Sequence, residues 1–261
     1  MELTPWEKVK LARIPMRPTG LDYIENIFES FIEFHGDRCY GEDRSIVGGI
    51  AFFKNTPVTI IAQQKGRNTK ENIMRNFSMP HPEGYRKALR LMKQAEKFKR
   101  PIICFIDTPG AFCGLGAEER GQGQAIASNL AEMIMLTTPI ISIVISEGGS
   151  GGALALGVAD KVYMLEHSVY SILSPEGFAS ILYKDSSKAD QAAADMKLTA
   201  QNLRDYGIID GIIPEPKGGA HNDFDMIMKN VNEVIEKDLT ELVDKPIDIL
   251  LEQRYAKFRN I

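Results

Sequence analysis

Short unbroken apolar runs alternate with glycine-rich breaks in the middle of the chain. PIICFI (101–106) and PIISIVI (139–145) are rich in β-branched residues, the pattern of strands buried on both faces. The first breaks at DTPGAFCGLG and leads into a helical pattern over 122–136. The second breaks at SEGGSGG and leads into a short small-residue helix, ALALGVA (153–159). The two units begin 38 residues apart, an echo in structure without repetition of sequence. IVGGIAFF (46–53) and PVTIIAQQ (57–64) predict two further strands about a turn at Asn55-Thr56. KVYMLEHSVYSIL holds two more short strands, and GIIDGIIPEP a turn into a last one.

Helical patterns flank this core. Thr4-Pro5 supplies an N-cap and a first-turn proline. Leu21, Ile24, Phe28 and Phe31 recur at three- and four-residue steps and predict a helix over 21–34, ended by His35-Gly36. The segment 65–84 is polar, basic and irregular. Helices are expected over 82–99, in PEGFASILY and in QAAADMKLTAQNL. The last 35 or so residues are helical, with Ile247, Ile249, Leu250 and Leu251 as packing positions. Strands alternating with helices define an α/β fold. The expectation is one domain over 1–261, with helical arms at 1–36 and 222–261.

Composition changes this picture little. Hydrophobic residues are 44% and charged residues 25% of 261, ordinary for a globular protein. A net charge of -4 gives no reason to expect a nucleic-acid partner. No apolar run reaches the roughly 18 residues a membrane span needs, and MELTPWEKVKLARIP has no apolar signal core. The expected location is the cytoplasm, with no membrane partner. Cys39, Cys104 and Cys113 form no C-x-x-C pair, which argues against a zinc ribbon and a disulfide framework. No metal site is expected in this chain.

The chemistry lies in the glycine turns. Gly148-Gly149-Ser150-Gly151-Gly152 matches G-x-S-x-G, the pattern of a nucleophile elbow. Asp160 or Asp210 and His167 or His221 could complete a triad, but nothing around either histidine marks it as catalytic. A small residue that permits close packing is the preferred reading of Ser150. The alternative uses the backbone. Gly148, Gly149, Gly151 and Gly152 lack Cβ, so a ligand can approach their N–H groups. Amides at a helix start have no intrahelical partner and can hold an anion that develops during reaction. Gly110, Ala111 and Gly114 in DTPGAFCG form a second such set. Neither loop fits the nucleotide P-loop pattern. The bland reading is two tight turns.

Other candidates have structural readings beside functional ones. Lys65, Arg67 and Lys70 suit an anionic partner such as a phosphate group, or simply a solvated loop. Arg86, Lys87, Arg90 and Lys93 fall at helical spacing and read as an exposed face. Glu118, Glu119 and Arg120 read as a helix start. Met196-Lys197-Leu198 faintly resembles a biotin acceptor, but sits in a helical pattern.

Longer motifs are more specific. QQKGRNTKENIMRNFSMPHPEGYRKALRLM (63–92), FIDTPGAFCGLGAEERGQGQAIA (105–127), EGGSGGALALGVADKVYML (147–165) and SILSPEGFASILYKD (171–185), with FHGDR and IVGGIA upstream, resemble the carboxyltransferase α subunit of bacterial acetyl-CoA carboxylase. The resemblance runs from about Pro5 to the C-terminal helices. It implies a crotonase-like fold, a superhelix of ββα turns. It implies transfer of a carboxyl group from carboxybiotin, borne by a separate carrier protein, to acetyl-CoA. Malonyl-CoA for fatty acid synthesis is the product, and no cofactor is bound covalently. A zinc-ribbon β subunit, the biotin carrier and a biotin carboxylase are the implied partners. Gly148, Gly149, Gly110 and Ala111 take the role of stabilising the biotin ureido oxygen. Gly151, Gly152, Lys65 and Arg67 fall to substrate binding. The methyl proton goes to biotin itself, so no side-chain base is needed. A stand-alone acyl-CoA hydratase or decarboxylase, or a non-catalytic scaffold for β, are the competing readings. Relatives start with a longer N-terminal extension, and Ser78 and Ser146 stand where glycine is expected.

Overall fold

The computed structural model describes residues 3–260. Residues 1, 2 and 261, the tips of the two expected arms, lie outside the described residues. In chain order the elements are α1 (Pro5–Ala12), α2 (Gly20–Ile27), β1 (Glu29–Glu33), β2 (Ile46–Phe53), β3 (Thr56–Gln63), α3 (Thr69–Met74), α4 (Pro82–Lys97), β4 (Ile102–Thr108), α5 (Leu115–Glu119) and α6 (Gln122–Met133). β5 (Ile140–Gly149), α7 (Ser150–Leu154), β6 (Lys161–Leu165), β7 (Val169–Ser171), α8 (Pro175–Phe178), α9 (Ala189–Asp195), α10 (Ala200–Asp205), β8 (Gly211–Ile213), α11 (Phe224–Val243) and α12 (Ile247–Arg259) complete the chain.

The strands form a single sheet in the order β1-β2-β3-β4-β5-β6-β8, with β7 pairing the end of β5. The first two pairings are antiparallel, and from β3 onward all are parallel. Alternation along β4 and β5 sends side chains to opposite faces. Ile103, Phe105, Ile141 and Ile143 pack with Tyr23, Ile24, Ile227, Val231 and Ile235 of α2 and α11. Ile102, Cys104, Ile106, Ile140 and Val144 pack with Ala88, Leu91, Met92 and Met133 of α4 and α6. Helices thus cover both faces, as parallel strands require.

The helix expected over 21–34 stops at Ile27. Phe28 turns extended, and Glu29–Glu33 inside the expected N-terminal helical arm become an edge strand on β2. Phe28 and Phe31 stand at helical spacing, but aromatic residues also suit strands, and pairing with β2 decides between the two. The irregular 65–84 segment contains α3. The second glycine unit is displaced: β5 runs on through Gly149, and its helix is Ser150–Leu154 rather than 153–159. QAAADMKLTAQNL is two helices split by Lys197 at φ 53°. Of the four C-terminal packing positions, Leu250 is buried while Ile247 and Ile249 are exposed. Glu118 lies in the first turn of the five-residue α5, Glu119 closes it, and Arg120 pairs with Glu83.

The basic stripe of α4 is largely not an exposed face. Lys87 is fully buried; its ammonium meets Glu42 and donates to the carbonyls of Asp43 (2.8 Å) and Ile46 (2.5 Å). Arg86 pairs with Asp37 at 2.8 Å, and Arg90 donates to the Gly36 carbonyl at 3.0 Å. Lys93 alone of the four stays on the surface, beside Glu132. The stripe holds the long 34–45 loop. Lys87→Met therefore lowers stability by about 3–5 kcal/mol, the cost of breaking a buried pair, in urea unfolding. A change within about 0.5 kcal/mol would restore the exposed-face reading.

Candidate functional site

The two glycine turns meet. β4 and β5 are parallel neighbours with Thr108 opposite Gly148, so their carboxyl ends deliver 109–111 and 149–152 to one place. The contact is main chain on main chain. A Cβ on Gly149 would sit 2.1 Å from the Pro109 carbonyl oxygen. One on Gly152 would sit 2.6 Å from the Ala111 nitrogen. No side chain fits either gap, so both positions require glycine. Their bare faces are filled by the other turn, where the sequence suggested a ligand. Beneath them, buried Gln63 donates to the Gly152 carbonyl at 2.7 Å and accepts the Asp107 N–H at 3.1 Å.

The candidate donors fall into two groups. Gly148 and Gly149 lie in the ladder opposite Tyr170 and Ser171 of β7. They are strand residues, not the helix-start amides expected from sequence. Gly110 N–H donates to Thr108 Oγ1 at 3.1 Å. Ala111 N–H has no acceptor among the described residues. α7 has Gly149 as N-cap and no side-chain cap, so the first-turn amides of Ser150, Gly151 and Gly152 lack intrahelical acceptors. Ser150 and Gly151 also border an apolar cleft of about 400 Å³ lined by Leu154, Tyr170, Ile172 and Leu203.

Charges gather behind the turns. Lys65 Nζ is 2.6 Å from Asp107 Oδ1 and 2.9 Å from Glu147 Oε2. Arg13, just past α1, is 2.8 Å from Glu147 and 2.6 Å from Glu176. Burial alone would lower the Lys65 pKa, but the two carboxylates reverse this and the net shift is upward. Burial raises Asp107, and Lys65 offsets only part of that. Burial also works to raise Glu147, yet Lys65 and Arg13 hold it below its ordinary value. Lys65 thus points inward, whereas Arg67 pairs with Asp22 and stays 43% exposed. Ser146 Oγ donates to the Ala12 carbonyl, and Ser78 Oγ to the Asp107 carbonyl. The two serines noted as departures therefore tie α1 and the 76–78 turn to the strand ends.

Ser150 stands exposed at φ 51°, a left-handed conformation unusual for serine. No hydrogen bond joins it to a histidine among the described residues. His167 donates its main-chain N–H to Glu215, and His221 lies against Gly219. The triad has no geometric support here. Arg13, Asp107, Glu147 and Glu176 were missed by sequence reasoning. The signal available was an acid just before each glycine turn, Asp107 in DTPGA and Glu147 in SEGGSGG. Among the described residues no cluster of three or more potential metal ligands occurs.

The architecture has solved counterparts. Transcarboxylase 12S, solved with methylmalonyl-coenzyme A bound, superposes with a TM-score of 0.72 at 18% identity; the match covers 91% of this chain but 45% of that longer chain. A Pseudomonas malonate decarboxylase hetero-tetramer in complex with coenzyme A gives 0.67 at 17% identity, covering 91% and 92%. The fold is the crotonase-like fold of carboxyltransferases.

Sequence goes further than fold. The family described as acetyl co-enzyme A carboxylase carboxyltransferase-like matches residues 1–261. The acetyl-coenzyme A carboxylase carboxyl transferase subunit alpha of Clostridium perfringens is 65% identical over 256 residues, covering 98% of this chain and 94% of that one. The protein of the same name from Shouchella clausii is 61% identical over 259 residues, covering 99% and 80%. The chain belongs to the α-subunit family of the acetyl-CoA carboxylase carboxyltransferase.

A second buried pair anchors the segment leading from α1 to α2. Arg17 meets both Glu215 oxygens at 2.8 Å and donates to the Ile145 carbonyl of β5 at 2.9 Å. Burial works to raise Glu215, but Arg17 and the His167 amide bring it below its ordinary 4.5. A depressed carboxylate stabilises fully above its unfolded pKa and loses that contribution as pH falls through the folded value. The wild-type melting temperature therefore falls as pH drops below 4.5. Glu215→Gln costs about 3–5 kcal/mol at pH 7 and shows a shallower acid limb. Parallel pH curves for the two proteins would contradict this.

Proposed function

We propose that this chain, assembled with a zinc-ribbon β subunit, transfers a carboxyl group from carboxybiotin on a separate carrier protein to acetyl-CoA. The product is malonyl-CoA for fatty acid biosynthesis, made in the cytoplasm, with a biotin carboxylase reloading the carrier. Family membership supports the reaction. At the site, the observation that carries the reading is the junction of two backbone turns with Ala111 N–H left without an acceptor among the described residues.

Biotin supplies the carboxyl group and a ureido oxygen that gains negative charge as that group departs. The chain's own part is to hold donors against that charge. Ala111 N–H and the first-turn amides of α7 are fixed by packing before substrate arrives, so no reorganisation is needed at the moment of reaction. A donor set of neutral amides fits an oxygen that is neutral before transfer and anionic after it. Gly148 and Gly149 serve this set by lacking a Cβ, Gly110 by its φ of 154°, and Gly152 by both the missing Cβ and its amide. The thioester oxygen of acetyl-CoA is left to the β partner. No side-chain nucleophile is required, in keeping with an unpaired Ser150. Glu147 and Glu176 are both held by Arg13, which leaves neither free as the acid or base a stand-alone hydratase would need.

Reconstituted with β, the chain converts malonyl-CoA and biocytin to acetyl-CoA and carboxybiocytin; either subunit alone does not. Ser150→Ala keeps kcat within about threefold, as an exposed substitution should. A loss above about a thousandfold would contradict backbone catalysis. Turnover of an acyl-CoA by the lone chain would favour the hydratase or decarboxylase reading. Full activity in a folded Gly149→Val complex would favour the scaffold.

A further inference from the structure

Three neighbouring strands carry an ionisable group at their carboxyl ends: Lys65 just past β3, Asp107 in β4 and Glu147 in β5. The two acids immediately precede the turns that meet. Asp107 leads into Thr108-Pro109-Gly110-Ala111, and Glu147 into Gly148-Gly149. Asp107 Oδ1 accepts the Glu147 N–H at 3.3 Å, so the strand ends already touch. Among the described residues, Lys65 is the only cation within 4 Å of Asp107. Arg13 reaches Glu147 and Glu176 but not Asp107. The Lys65 ammonium, at 2.6 Å and 2.9 Å, is therefore the one charge spanning both turns.

We infer that Lys65 is a positioning residue for carboxyl transfer: its ammonium bridges Asp107 and Glu147 and so sets the separation of the 109–111 and 149–152 turns. This rests on the carboxyl-transfer reading above. In this role Lys65 acts on the two turns through the acids that precede them. At 22% side-chain exposure, and with both carboxylates already engaged, it is not disposed to grip a phosphate. Without it, Glu147 keeps Arg13 but Asp107 is left with no cation partner beside a second carboxylate, and like charges there repel. Donors that must match a developing charge tolerate little of this, since a misplacement of about 1 Å costs on the order of 100-fold in rate.

The test uses the α–β complex with malonyl-CoA and biocytin. Lys65→Met lowers kcat about 100-fold while KM for malonyl-CoA stays within about threefold, the behaviour of an interaction felt in the transition state alone. Lys65→Arg, which keeps a cation between the acids, restores most of kcat. Lys65→Gln/Asp107→Asn, which removes the unpaired charge, keeps the chain folded should Lys65→Met fail to fold, and exceeds Lys65→Gln in kcat. Amide hydrogen exchange on α alone gives a readout independent of activity: residues 108–111 and 148–152 exchange faster in Lys65→Met, while the α11 core does not. A raised KM with unchanged kcat would make Lys65 a substrate ligand and overturn the inference. Unchanged kcat, or exchange that rises uniformly, would overturn it too. A wild-type complex without transferase activity would instead sink the carboxyl-transfer reading, leaving the exchange result to decide the bridge.

Discussion

The constraint on which the site depends is the direct contact of two stretches of backbone. Gly149 lies against the Pro109 carbonyl and Gly152 against the Ala111 nitrogen, at separations no Cβ could enter. This contact brings the ends of β4 and β5 into one small volume and leaves amides there that the fold does not consume. The glycines are therefore less a landing place for a ligand than the condition for two turns to share a site. Their role is steric, and the electrostatic role passes to the amides beside them.

Around this contact the molecule is tied by buried and half-buried cations. Lys65 and Arg13 hold the acids behind the turns, Arg17 holds Glu215, and Lys87 holds the 34–45 loop. Arg254 does the same for α12. Fully buried, it meets Asp160 and donates to the carbonyls of Met133, Leu136 and Thr138. Each guanidinium or ammonium satisfies several acceptors at once, which is what makes burying it tolerable. The N-terminal and C-terminal helices are thereby joined to the sheet rather than trailing from it. No helix among the described residues is long and apolar enough to cross a membrane.

The central strands were legible because a fully buried parallel strand writes itself as an unbroken apolar run, as in β4 and β5. β1 was not, because Phe28 and Phe31 stand at helical spacing while aromatic residues are equally at home in a strand. Only pairing with β2 resolves the choice. The glycine turns were legible as a pair, and the motifs around them carried the family. The assignment of donors shifted because β5 continues two residues into the glycines, which no local pattern announces. Burial of Lys87 was illegible for a different reason. Its spacing on α4 is that of a solvated stripe, and its partner Glu42 lies 45 residues away. Arg13 and Glu147, 134 residues apart, are equally silent in sequence until the fold joins them.

The account stands on a main-chain N–H acting as a donor, and one atom tests it. Replacing Ala111 by the corresponding α-hydroxy acid turns its amide into an ester and removes that N–H without adding bulk at the Gly152 contact. In the assembled complex, single-turnover transfer should slow by about 10²–10³-fold, as when one oxyanion donor is lost, with malonyl-CoA binding and thermal stability little changed. Transfer at the wild-type rate in the ester-containing protein would contradict the account.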